Sequence, residues 1–267
     1  MQAVPLGRSG TGASSGNGSG VVSACDHDSV TDRPISNDAG DTPPARSPLE
    51  LLGALAKTDV ELDDTTRLIE IYTMEGLLQI WWFGLPGASD VALLCGGAMG
   101  GMTGPGRALY PTLGRALAAE GRAAMAINYR KPGDLGRSLL DVCAATDLAI
   151  RNGATRFVIL GHSFGGAVAI QAAGTFPSQT AGVITYATQS GGCEEAGRMG
   201  SVPLLLLHGE RDSILGPENS MMVQALAGHG EVRTFPDTDH LMSEAAEEIE
   251  HLTIEWVRDR FDEHAAR

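Results

Sequence analysis

Three side chains far apart in the sequence could together activate a hydroxyl. Ser163 lies in Gly161-His162-Ser163-Phe164-Gly165-Gly166, behind the apolar run Phe157-Val158-Ile159-Leu160 and ahead of Ala167, Val168, Ala169 and Ile170. A strand, a sharp turn with serine at its apex and a helix form the G-x-S-x-G elbow, which exposes the hydroxyl. Glycine at 161 and 165 removes Cβ atoms that would obstruct so tight a reversal. The stretch has neither the G-x-G-x-x-G spacing nor the lysine of a phosphate-binding loop. A serine hydroxyl is a poor nucleophile until a base takes its proton. Of seven histidines, His240 sits in a loop between the last expected strand and the last helix, in Pro236-Asp237-Thr238-Asp239-His240. His162, beside the serine, is expected to point away from the apex, and His208 reads as a packed or hydrogen-bonded residue. Asp212 follows the apolar run Leu204–Leu207 and is the expected partner of His240, with Glu210 as its rival. Asp237 and Asp239 read as turn residues. The chain order Ser163, Asp212, His240 is the order this elbow requires.

An acyl-transfer reaction also needs donors for the oxygen that gains charge. The N–H of Phe164 is one candidate. The glycine-rich segment Gly96–Gly106, behind Val91–Cys95, supplies the second, with Gly97 preferred and Ala98 the alternative. Ala98 and Met99 are also candidate substrate contacts. Tyr129 and Arg130 end another strand on the same side, either touching substrate or serving as surface and packing residues.

The elements that must hold these groups alternate. Arg67–Phe83 reads as a hairpin about Glu75-Gly76, followed by strands at 91–95, 123–129, 157–160, 182–187, 203–208 and 231–235. Between them, Leu109, Leu113, Ala116 and Leu117, and Leu139, Val142, Thr146, Ala149 and Ile150, fall at helical spacing. A helix near 218–227 and a last one carrying Ile249, Leu252, Trp256 and Phe261 complete the series. Alternation of this kind means a mostly parallel sheet with helices on both faces. Ligands then bind beyond the carboxyl ends of the strands, where all three candidates fall.

Composition sets the outer limits. The chain has 267 residues and a formal net charge of -14, which disfavours nucleic acid and anionic membranes as partners. Gly, Ser and Pro contribute 7, 8 and 5 of the first 48 residues, so residues 1–47 read as a disordered tail and 48–267 as the folded domain. Four scattered cysteines suggest reduced thiols, and no metal-ligand spacing is present. No apolar run reaches the ~20 residues of a membrane span. No charged segment leads into an apolar stretch at the N-terminus, and the expected location is the cytoplasm.

GHSFGG at 161–166, HGERD at 208–212, DTDH at 237–240 and CGGAMGG at 95–101 together resemble the α/β-hydrolase superfamily over roughly residues 67–262. The superfamily often has histidine where this chain has Cys95. The resemblance implies a twisted, mostly parallel sheet of eight strands and hydrolysis through an acyl-enzyme on Ser163, with no cofactor. Relatives that open epoxides or remove halides carry aspartate at the elbow, so Ser163 points to acyl transfer. Many relatives insert a helical lid that here would fall between Ala187 and Pro203, and only 15 residues lie there. No lid domain is expected. The site should be open, shaped by loops 97–107, 129–137 and 189–200, and should take a small acyl substrate. An esterase, thioesterase or amide-cleaving enzyme is the first reading. An acyltransferase with the same triad and a non-catalytic binding protein are the alternatives. The oligomeric state is left open.

Overall fold

The computed structural model describes residues 45–265, with side chains to Glu263. The elements run α1 (Pro48–Leu51), β1 (Ala54–Asp63), β2 (Thr66–Thr73), β3 (Gly76–Phe83), β4 (Asp90–Cys95), α2 (Leu109–Ala118), β5 (Ala123–Asn128) and α3 (Leu135–Arg151). They continue with β6 (Arg156–His162), α4 (Phe164–Thr175), β7 (Thr180–Tyr186), β8 (Leu204–Gly209), α5 (Glu218–Ala227), β9 (Glu231–Phe235) and α6 (Ala246–Ala265).

One nine-stranded sheet has the order β1-β2-β3-β5-β4-β6-β7-β8-β9. The ladders from β5 through β9 are parallel, and β1, β2 and β3 add to one edge in antiparallel register. The expected eight strands are all present, and β1 is the ninth. Its sequence, ALAKTDVELD, is exposed at every position, and its alternation is confined to Val60 and Leu62 between acidic residues, too short a pattern to mark a strand. Lys57 and Asp59 lie opposite Ile71 and Ile69, putting charge on the face that is core one strand further in. Charges so placed protect an edge from pairing with another strand.

The central strands read as continuous apolar runs because helices cover both faces. β4 and β7 are buried at every residue. One core, against α3 and α4, contains Leu93, Met125, Ile127, Phe157 and Ile159, and the other, against α2 and α6, contains Phe83, Leu94, Leu160, Ile184 and Phe261. Truncating Leu93 or Leu160 to alanine should cost about 2–5 kcal/mol.

The connection from β7 to β8 holds only a short 3-10 turn, Ala196–Met199. Of the expected tail, residues 1–44 lie outside the described residues. Ser47 is described: its side chain caps α1 by accepting the Glu50 N–H, and Arg151 donates to its hydroxyl at 3.0 Å.

Candidate active site

Ser163 sits between β6 and α4 with φ 56° and ψ -119°, a backbone state rare for a residue with a side chain. Such strain persists only where the surroundings enforce it. Here the Ser163 N–H donates to the Tyr186 carbonyl of β7 (2.8 Å), and the Gly166 N–H donates to the Ser163 carbonyl (3.0 Å). A Cβ on Gly161 would collide with the Gly165 carbonyl, and one on Gly165 with the carbonyls of Cys95 and Gly96. The two glycines let the start of α4 press against the ends of β4 and β6. The Phe164 N–H opens that helix and takes no acceptor among the described residues.

Asp212 leaves the end of β8 and is buried. Its Oδ1 accepts the N–H groups of Ile214 and Leu215, both at 2.8 Å. Its Oδ2 accepts Nδ1–H of His240 at 2.7 Å, and the Nε2 of His208 lies 3.3 Å away on the other side. Burial raises the Asp212 carboxyl, but the bonds from Leu215, His240 and Ile214 outweigh it and hold the group below its ordinary value. With Nδ1 protonated toward Asp212, neutral His240 keeps a lone pair on Nε2. No hydrogen bond joins Nε2 to the Ser163 hydroxyl among the described residues, although both side chains line one cleft. Bonds of this kind are often long before substrate binds.

Glu210 is exposed and takes the Thr234 hydroxyl at 2.7 Å, away from His240. Asp239 accepts the N–H groups of Leu241 and Met242, and Asp237 pairs with Arg211, as turn residues do. Gly209 has no room for a Cβ because the Thr238 carbonyl lies against it, which brings the Asp212 and His240 loops together.

The cleft has a volume of about 440 Å³. Ala98 and Met99 line it, as do Ile214 and Leu241. Met99, Ile214 and Leu241 are 96%, 70% and 55% exposed, forming an apolar rim from three separate loops. Gly97 lies close to the nucleophile: a Cβ placed on it would stand 3.9 Å from that of Ser163.

Two expected substrate contacts do not reach this cleft. Tyr129 is 2% and Arg130 8% exposed. Arg130 Nε–H donates to Asp141 Oδ1 at 2.6 Å, and its N–H to Oδ2 at 2.8 Å, so it serves a buried ion pair instead. Tyr129 packs edge-on against Phe164. Loops 129–137 and 189–200 contribute nothing to the lining either, and Ile214, Leu241 and His162 stand in their place. The expectation for His162 was also wrong. Its ring lies 5.0 Å from that of His240, and its Nε2–H donates to the His240 carbonyl at 2.9 Å. The sequence carries no signal for that orientation, because it follows from the reversal at Ser163. His208 is packed as expected, with Nδ1 accepting from Ser220 (2.7 Å) and Nε2–H donating to the Leu215 carbonyl (2.8 Å).

Burial pushes the Cys95 thiol, beneath the glycine-rich loop, up to about 12, so it stays protonated and unreactive. Among the described residues no three His, Cys, Asp or Glu side chains gather in a group that could hold a metal ion.

A mostly parallel sheet with serine on a strained strand-to-helix turn defines this chain as a member of the α/β-hydrolase superfamily. Solved structures with the same fold include Est1E from Butyrivibrio proteoclasticus, at 14% identity and TM-score 0.60, covering 77% of this chain and 99% of that one. A dienelactone hydrolase from Anabaena variabilis matches at 18% identity and TM-score 0.62, over 76% and 98% of the two chains. An esterase domain of a Rhodothermus marinus protein matches at 21% identity and TM-score 0.54, over 76% and 98%. A search of curated proteins gave no match. The model of the dienelactone hydrolase family matches residues 119–264, more than half of the sequence, and the chain belongs to that family. No helix among the described residues is long and apolar enough to cross a membrane.

Proposed function

We propose that this hydrolase cleaves a carboxylic ester through an acyl-enzyme on Ser163, with His240 as base and Asp212 as its orienting carboxylate. The observation that carries the reading is the 2.7 Å bond from His240 Nδ1–H to Asp212 Oδ2, with His240 and Ser163 on one cleft. That bond leaves Nε2 as the only nitrogen able to take a proton. His240 removes the Ser163 proton as Oγ attacks the ester carbonyl, and the imidazolium formed is stabilised by Asp212. The substrate oxygen gains charge and takes hydrogen bonds from the N–H of Phe164 and from that of Gly97 or its neighbour Ala98. Imidazolium then protonates the departing alcohol. Water, activated by His240, attacks the acyl-enzyme and restores Ser163. Thioesters and activated amides fit the same steps.

The rim of Met99, Ile214 and Leu241 suits a small, uncharged acyl substrate, and no lysine or arginine lines the cleft among the described residues. The test is turnover of aryl esters and acyl-thioesters by purified protein, with a fluorophosphonate probe and peptide mapping. Hydrolysis together with labelling at Ser163 is expected. Absence of both, or labelling elsewhere, overturns the reading.

A further inference from the structure

Glu70, Gln79 and Asn128 stand directly opposite one another on β2, β3 and β5. Their side chains make one continuous row of hydrogen bonds. Gln79 Nε2–H donates to Glu70 Oε1 (2.8 Å), and Asn128 Nδ2–H donates to Gln79 Oε1 (3.0 Å). Asn128 Oδ1 then accepts the N–H of Gly101 (2.9 Å), inside the glycine-rich loop. At the other end, Glu70 Oε2 accepts the hydroxyls of Tyr72 (2.8 Å) and of Thr58 on β1 (3.3 Å). The row thus crosses four strands, from the edge of the sheet to the cleft.

A row of amides could run in either direction, but a carboxylate only accepts. Gln79 must therefore turn its NH₂ toward Glu70, which leaves its oxygen for Asn128. Asn128 must in turn give its NH₂ to Gln79, which leaves its own oxygen for Gly101. Reversing one amide alone would set oxygen against oxygen or NH₂ against NH₂. We propose that Glu70 fixes the direction of this row and that Asn128, at its inner end, is a positioning residue for the loop beside Ser163. The bond from Gln79, and next that from Tyr72, hold the Glu70 carboxyl below its ordinary value, which keeps it an acceptor near neutral pH.

The loop passes the constraint inward. Gly101 adjoins Gly100, whose N–H donates to the Gly97 carbonyl at 2.9 Å. Asn128 Oδ1 and Pro132 fill the space a Gly100 side chain would need. This bond holds the Gly97–Ala98 peptide, which carries the Ala98 N–H and directly follows the Gly97 N–H, the two candidates for the second oxyanion donor in the proposed function. None of the three row residues lines the cleft. The proposal rests on Gly97 or Ala98 acting at Ser163, and its test separates the two ideas.

Asn128→Asp is nearly isosteric and keeps an acceptor for Gly101, but it turns oxygen toward Gln79 Oε1. It should lower kcat by on the order of tenfold or more with KM within about threefold, since small displacements in a site can cost up to 10² in rate. Deuterium exchange at residues 96–104 should quicken in the same variant. Glu70→Gln added to Asn128→Asp lets the row reverse. The amide introduced on β2 donates to Gln79, Gln79 donates to the carboxylate introduced on β5, and that carboxylate still accepts from Gly101. The double variant should regain most of kcat and of the exchange protection. Loss of packing would not be repaired by a second substitution two strands away. Unchanged kcat and unchanged exchange in Asn128→Asp, or a double variant no better than Asn128→Asp alone, overturns the proposal. If wild-type protein turns over no ester, the proposed function falls, and the exchange rates still decide the role of Asn128.

Discussion

Asp212 and His240, 28 residues apart in the chain, are joined by a bond of 2.7 Å between Oδ2 and Nδ1. The other carboxylate oxygen is fixed by two backbone N–H groups, so Asp212 can orient His240 without moving itself. Asp212→Asn would present an amide where an acceptor is required and turn the imidazole to the wrong tautomer. Turnover should fall by roughly 10⁴. Glu210→Gln, which loses only a contact to Thr234, should leave the rate within a few-fold of wild type. Steady-state kinetics on both variants check the assignment, and a reversed order would transfer the role to Glu210.

Ser163→Ala should reduce turnover by on the order of 10⁶ if nucleophile and base act as a unit. Alanine must also hold the positive φ at this apex, a strain serine already bears, so the fold should be retained. Circular dichroism and thermal melting check the fold. A purified variant that keeps a tenth of the wild-type rate would rule out Ser163 as the nucleophile.

His162 should make the stability of the fold depend on acid. Burial lowers its basicity below the usual value of 6.5, partly opposed by its bond to the His240 carbonyl. The unfolded chain therefore takes up a proton near pH 6.5 that the folded chain resists. This contribution is neutral above pH 7, and it destabilises the fold progressively as pH falls below about 6.5. His162→Gln removes it. In urea unfolding between pH 7.5 and 5, the gap between wild type and variant should shift in favour of the variant as pH falls. A constant gap would show that His162 takes up its proton equally in both states.

The elbow, the two strand-end loops and the alternating elements could be read from residue types because each rests on local constraints. Gly161 and Gly165 stand where no side chain fits, and the buried runs of β4 and β8 face helices on both sides. β1 is hard to read because it is exposed throughout and only Val60 and Leu62 alternate with charge. Arg130 could be read as a substrate contact or a packing residue because its partner Asp141 lies on α3, and no local pattern marks a buried pair between separate elements. The row from Glu70 to Asn128 was hidden for a similar reason. It exists only once the register of β2, β3 and β5 is set, and register follows from the whole sheet.

Chain-length preference is decided by how much wall the cleft offers. Its lining comes from the glycine-rich loop and the rim of Met99, Ile214 and Leu241, and the β7–β8 connection adds no residue to it. Those three side chains are largely in water, so an acyl chain laid against them leaves much of its own surface wet. Each methylene is worth up to ~0.8 kcal/mol when fully buried. The first few carbons, near Ser163 and the rim, should gain part of that, and later ones should gain little. Rates on acetyl to palmitoyl esters should therefore peak at short chains, with simple saturation and no jump where substrate passes its solubility limit. Ile214→Asp should weaken the preference for butyryl over acetyl esters, because it removes apolar wall and leaves Asp212 and its backbone bonds in place. A maximum at ten carbons or more, or a sharp rise at the emulsion point, would mean that the loops close into a deep apolar tunnel when substrate binds.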